Sequence, residues 1–190
     1  MSSELAQCVP ERKIGVLVLG LGNVLLGDDG LGAAAVARLE GEYRVAAGVR
    51  LADGGTLGLS LLGLLADSEH VILVDAVRAE GPPGTLLRLD GEDVSDAVRD
   101  RLSPHQVGVA DLLDAARLID RYPATVTLLG LVPDTIDLAV ARSTAVDDGL
   151  GELVAAIVQE VQSRGYEMVR EPEAVGRPRP IHDLNRHFGM

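Results

Sequence analysis

The segment IGVLVLGLGNVLLGDDGLGAAAVARLEGE, Ile14 to Glu42, decides the fold. Ile14 to Leu19 is an uninterrupted β-branched and Leu-rich run, which a strand needs when a parallel sheet covers it on both faces. Glycines 20, 22 and 27 then turn the chain. From Asp29 to Glu42 the residues favour a helix, with Asp28 or Asp29 expected at the N-cap, where a carboxylate meets free amides and the positive end of the dipole.

The same unit recurs downstream. Val49 to Asp53 is a short strand closed by Gly54 and Gly55, and Leu57 to Ala66 is a Leu-rich helix. His70 to Asp75 is a third apolar strand that again ends in an aspartate. Thr85 to Leu89 follows a Pro82-Pro83-Gly84 turn too closely for a crossover helix, so it is expected to pair antiparallel. Val109, Leu112, Leu113, Ala116 and Ile119 recur at helical spacing before the strand Thr125 to Leu131. A last helix carries Leu150, Leu153, Val154, Ile157, Val158 and Val161 on one face and ends at Gly165. The alternation predicts an α/β fold, a three-layer α/β/α sandwich with a mostly parallel five-stranded sheet. One domain is expected over residues 14–165, after a lead-in of residues 1–13 and before a loose, proline-interrupted tail of residues 166–190.

Composition narrows the function. With 17 Lys and Arg against 29 Asp and Glu, the net charge of −12 would repel a phosphate backbone, and three Tyr, one Phe and no Trp leave few platforms for base stacking. Nucleic acid is therefore not an expected partner. No stretch approaches the roughly 20 apolar residues that span a bilayer, and Ile14 to Gly27 is followed by charges rather than a cleavage site, so a cytoplasmic protein that does not contact membrane is expected. A single cysteine, Cys8, rules out an internal disulfide and a cysteine metal cage.

Three aspartates occupy corresponding places: Asp29 in the loop after the first strand, Asp53 at the end of the second, Asp75 at the end of the third. The carboxyl ends of strands in an open α/β sheet form the crevice where ligands bind, so one rim collects all three. Singly they could be a helix cap, a turn former and a strand terminator; together they would repel unless a cation or shared proton compensates. His105, in Ser103-Pro104-His105-Gln106, is expected in a proline-stiffened loop just before a helix. Two carboxylates and an imidazole from separate loops suit Ni, Zn, Fe or Mn. The H-E-x-x-H zinc helix, the G-x-S-x-G elbow and the Walker A motif are all missing from the chain. Gly20-Leu21-Gly22 imitates a dinucleotide fingerprint, but Leu25 replaces its third glycine and two aspartates stand where pyrophosphate would sit.

Four motifs in order carry a resemblance: Gly20-x-Gly22-Asn23-x-Leu25-x-x-Asp28-Asp29-Gly30-x-Gly32, Asp53-Gly54-Gly55-Thr56, Asp75-Ala76, and Ser103-Pro104-His105-Gln106. The chain resembles, from about Ile14 to Gly165, the hydrogenase maturation endopeptidases, which trim the C-terminal extension from the large-subunit precursor of nickel-iron hydrogenases. The resemblance implies that Asp29, Asp75 and His105 contact nickel, that the nickel arrives in the precursor and serves as a recognition element, and that no Ser or Cys nucleophile takes part. Asp53, Gly54, Asn23 and Asp28 are expected in supporting or substrate-facing places, and the protein is expected to act as a monomer. The competing expectations are a nickel-checking chaperone that binds the precursor without cutting, and a nucleotide-binding oxidoreductase. His182 and His187 in the tail are expected to be incidental.

Overall fold

The Ile14 run becomes strand β1 (Ile14–Leu21) in the computed structural model, which describes residues 13–91, 93–94 and 104–171, the side chains of 104–107 excepted. Val16 and Val18 enter one apolar layer, Leu17 and Leu19 the other, and all four are fully buried. Burial on both faces is why the run lacks polar alternation.

Helix α1 (Leu31–Glu42) leads through a short strand β2 (Tyr43–Val45) to β3 (Val49–Gly55), which pairs parallel to β1. A 3-10 turn, Gly58–Leu61, and helix α2 (Leu62–Ala66) lead to β4 (Ser68–Ala76), parallel to β1 on its other side. Strand β5 (Leu86–Asp90) pairs antiparallel to β6 (Thr125–Leu131), as its short connection requires, and β6 runs parallel to β4. The five-stranded order is β3-β1-β4-β6-β5. Helix α1 and helix α4 (Thr144–Ser163) cover one face; α2 and helix α3 (Pro104–Leu118) cover the other. The expected three-layer sandwich is present. No helix among the described residues is long and apolar enough to cross a membrane.

Four local expectations need correction. Neither Asp28 nor Asp29 caps α1: both lie in a 3-10 turn, Gly27–Gly30, and Gly30 is the cap residue. The Leu57–Ala66 helix is a 3-10 turn joined to one short α-helical stretch, because Gly58 takes a φ of +51° and Gly63 weakens the remainder. Helix α3 begins at Pro104, since proline at the first helical position gives up only an amide that has no partner there; His105 belongs to the first turn and not to a preceding loop. The ordered chain also passes Gly165. Met168–Arg170 form β7, antiparallel to β2, and Met168 is buried in the α1/α4 layer. Three residues are too few to show a period in the sequence, so this strand falls within the expected tail. Residues 172–190, with His182 and His187, and the lead-in with Cys8 lie outside the described residues.

One ionic network ties the β5 edge to α4. Glu160, 5% exposed, accepts from Arg88 Nη1 at 2.7 Å and from Arg164 Nε at 3.0 Å, while Arg88 also holds Asp90, which accepts from Thr127 Oγ1 at 2.8 Å. Burial pushes the Glu160 carboxyl up, but the hydrogen bonds and charges of Arg88 and Arg164 outweigh it and the group lies below its ordinary range. A depressed folded-state pKa stabilises above the unfolded value and the gain is lost as pH falls through the folded one. Glu160→Gln is expected to cost about 2 kcal/mol in urea denaturation at pH 7. The gap from wild type should close as pH drops below the ordinary glutamate value of 4.5; a gap that persists unchanged at low pH would contradict the ionic account.

Candidate active site

Strand β1 sits between β3 and β4, and the chain leaves β1 over one face of the sheet and β3 over the other. This is a topological switch point, with the crevice outside the carboxyl ends of β1 and β4. Two glycines bring the next turn down onto that crevice. A Cβ on Gly20 would collide with the Gly32 carbonyl, and one on Gly32 would collide with the backbone of Leu21 and with the Val74 carbonyl. Only with both side chains absent can α1 start directly over β1 and β4. Gly22, at φ +109°, lies so close to the Asp29 carbonyl that a Cβ could not fit.

The adjacent acids Asp28 and Asp29 are both fully buried, and they face different jobs. Asp28 accepts from the amides of Asp134 (2.8 Å), Thr135 (3.2 Å) and Ser143 (2.6 Å) and from the Ser143 hydroxyl (2.9 Å). Desolvation would raise its carboxyl, but those four hydrogen bonds together hold it below its ordinary value. Asp28 is thus a clasp that fixes the loop between β6 and α4. The sequence offered no sign of this, because the partners lie more than a hundred residues away; only Ser143, immediately before the Thr144 helix start, carried a capping signal, and its hydroxyl does accept from Val146.

Asp29 is turned to the β1 end of the crevice, where its Oδ2 accepts from the Asn23 amide at 2.7 Å. Asn23 in turn accepts from the Leu25 amide through Oδ1 at 3.0 Å, so the loop after β1 is wound around the Asp29 carboxylate. An amide that a cofactor phosphate would need in a dinucleotide fold is already taken by a protein carboxylate. A phosphate at the glycine pattern would have to compete with that contact.

Asp75, 4% exposed, is the next-to-last residue of β4, with Oδ1 accepting from the Ala76 amide at 2.8 Å. The 3-10 turn that carries Asp29 packs on β4, so both buried acids serve the same rim. Asp53 is exposed at the end of β3 and folds back to accept from the Gly55 amide at 3.0 Å, a turn-forming contact that leaves it at the edge of the crevice. Gly54 is buried under Leu19 and Leu61, where a Cβ would crowd both, a packing demand that fits a supporting place. His105 enters through the backbone of α3: Gly108, one turn on, touches Gly58 in the turn after β3. Its imidazole lies outside the described residues. Among the described residues no group of three or more His, Cys, Asp or Glu stands together as a metal site.

The division of labour between the two neighbours is measurable. Asp28→Ala strands three amides and a hydroxyl and should cost about 3 kcal/mol or more in equilibrium unfolding, whereas Asp29→Asn, which keeps an acceptor for the Asn23 amide, should cost under about 1 kcal/mol. Equal losses would contradict the assignment.

Comparison with known proteins agrees with this geometry. Residues 33–160 match the family model described as hydrogenase maturation protease. The chain is 36% identical over 170 residues to the hydrogenase 2 maturation protease of Escherichia coli, covering 88% of this chain and 99% of that one. It is 37% identical over 163 residues to the hydrogenase expression/formation protein HupD of Rhodobacter capsulatus, covering 85% and 76% respectively. Among solved structures, the hydrogenase maturating endopeptidase HybD from E. coli superposes with a TM-score of 0.80 at 33% identity, over 83% of this chain and 98% of that one. With the fold, the four motifs and these relatives in agreement, the chain belongs to the hydrogenase maturation protease family.

Proposed function

We propose that this protein is an endopeptidase that removes the C-terminal extension of a nickel-iron hydrogenase large-subunit precursor once nickel has been inserted. In this reading Asp29, Asp75 and His105 contact the nickel that the substrate carries. The observation that carries it is the pair of buried carboxylates, Asp29 and Asp75, at one switch-point crevice. Burying two acids at one rim is costly unless a cation compensates, and a site that receives its cation with the substrate makes that compensation conditional on loading. Two carboxylate oxygens and an imidazole nitrogen are donors that nickel accepts.

Nickel held in the precursor and contacted by Asp29, Asp75 and His105 would supply Lewis-acid polarisation of the scissile carbonyl or activate the attacking water. Water adds to the carbonyl carbon, the C–N bond breaks, and the departing amine takes a proton; a carboxylate at the rim moves that proton from the water. No Ser or Cys nucleophile enters this scheme. Asp53, exposed and tied to the Gly55 amide, borders the path of the polypeptide, and Asn23 holds the Asp29 carboxylate in place.

Intact mass spectrometry of nickel-loaded and nickel-free precursor, each incubated with this protein, should show loss of the C-terminal peptide only from the loaded form. Asp29→Asn, Asp75→Asn and His105→Ala should each slow that loss at least about a hundredfold. Processing that survives all three substitutions would sink the site assignment, and a precursor that binds yet keeps its full mass would replace the protease by a nickel-checking chaperone.

A further inference from the structure

Six large apolar side chains are more than half exposed on three loops: Val24 (52%) and Leu25 (55%) after β1, Leu57 (59%) and Leu59 (54%) after β3, Leu138 (86%) and Val140 (81%) after β6. All three loops follow the carboxyl ends of parallel strands, the same rim that holds Asp29 and Asp75. The loops are joined to one another. The Ala139 amide donates to the Leu25 carbonyl at 3.0 Å and the Gly27 amide to the Ala139 carbonyl at 2.7 Å, while the Gly22 amide donates to the Gly55 carbonyl at 3.1 Å. The third loop is also clasped at its base by Asp28 through Asp134, Thr135 and Ser143. Leu138 and Val140 therefore stand out on fixed backbone, either side of the bridging Ala139.

A collar of apolar side chains held out in water on backbone-linked loops brings no folding benefit, and exposed apolar surface gathered beside a crevice marks a place that another molecule covers. We propose that this collar docks an extended apolar segment of the precursor polypeptide that flanks the scissile bond, with Leu138 and Val140 as its main contacts. The proposal rests on the protease reading above, because the occupant is chosen by continuity with the crevice: a polypeptide whose cut site reaches Asp29 and Asp75 has to cross the loops around them. Charge agrees with that choice. In a chain of net charge −12, the stretches Val24-Leu25-Leu26-Gly27 and Leu138-Ala139-Val140-Ala141 carry no charge, so these two segments offer apolar contact, while the charge of the rim comes from Asp29, Asp53 and Asp75 beside them.

Leu138→Asp and Val140→Asp, singly and together, test it with nickel-loaded precursor and wild-type protein in parallel. Each residue is exposed, so thermal unfolding should be unchanged. The double variant should raise KM about tenfold or more with kcat within about twofold, as expected when a buried Leu contact is lost from ground-state and transition-state binding alike. Leu118→Asp, exposed at the far end of α3, should leave KM as in wild type. Unchanged KM in the double variant overturns the docking proposal and leaves the protease assignment intact, whereas absence of processing by the wild type overturns the assignment itself. An equal rise in KM for Leu118→Asp would mark general charge repulsion, and a wild-type dimer split by the double variant with KM unchanged would make a second copy of this chain the occupant; either result overturns the proposal.

Discussion

Everything at the crevice depends on how closely the start of α1 can approach β1 and β4. Gly20 and Gly32 meet where any side chain would strike backbone, and Gly22 turns with a positive φ against the Asp29 carbonyl. These are backbone-to-backbone contacts, which no rotamer change can relieve. Because they bring the 3-10 turn down onto the sheet, Asp28 and Asp29 are carried into full burial together, one pointing into the loop before α4 and the other to the strand ends. The glycines are thus the geometric condition for the acids.

Burial of two neighbouring carboxylates is tolerable because each is handled differently. Asp28 is satisfied within the protein by four hydrogen bonds, the arrangement that makes a buried charge inexpensive and its loss severe. Asp29 is oriented by the Asn23 amide while it remains at the crevice with Asp75. The clasp at Asp28 also fixes the loop bearing Leu138 and Val140, so one acid serves structure on both sides: it steadies its neighbour and it holds out an apolar surface next to the chemistry.

Much of this was legible in the sequence because it depends on local pattern. Continuous apolar runs at Ile14 and His70 pointed to central strands, and the short Pro82-Pro83-Gly84 connection to the antiparallel edge. What stayed hidden was long-range or too short to be periodic. The Asp28 clasp joins positions more than a hundred residues apart, so its aspartate looked like a helix cap. β2 and β7 are three residues each and pair only because α4 brings them together. The packing of Gly54 beneath Leu19 and Leu61 was likewise invisible, since a motif records which residue is present and not which neighbour demands it.

The central claim is that Asp29 and Asp75 meet the nickel carried by the substrate while Asp28 only supports them. X-ray absorption at the nickel edge, recorded on loaded precursor alone and in complex with wild type, Asp28→Asn, Asp29→Asn and Asp75→Asn, tests it most directly. New oxygen or nitrogen ligands should appear on complex formation with wild type and with Asp28→Asn, and should diminish with each of the other two. A nickel shell that is identical free and bound, or that responds to Asp28→Asn as strongly as to Asp29→Asn, would contradict it.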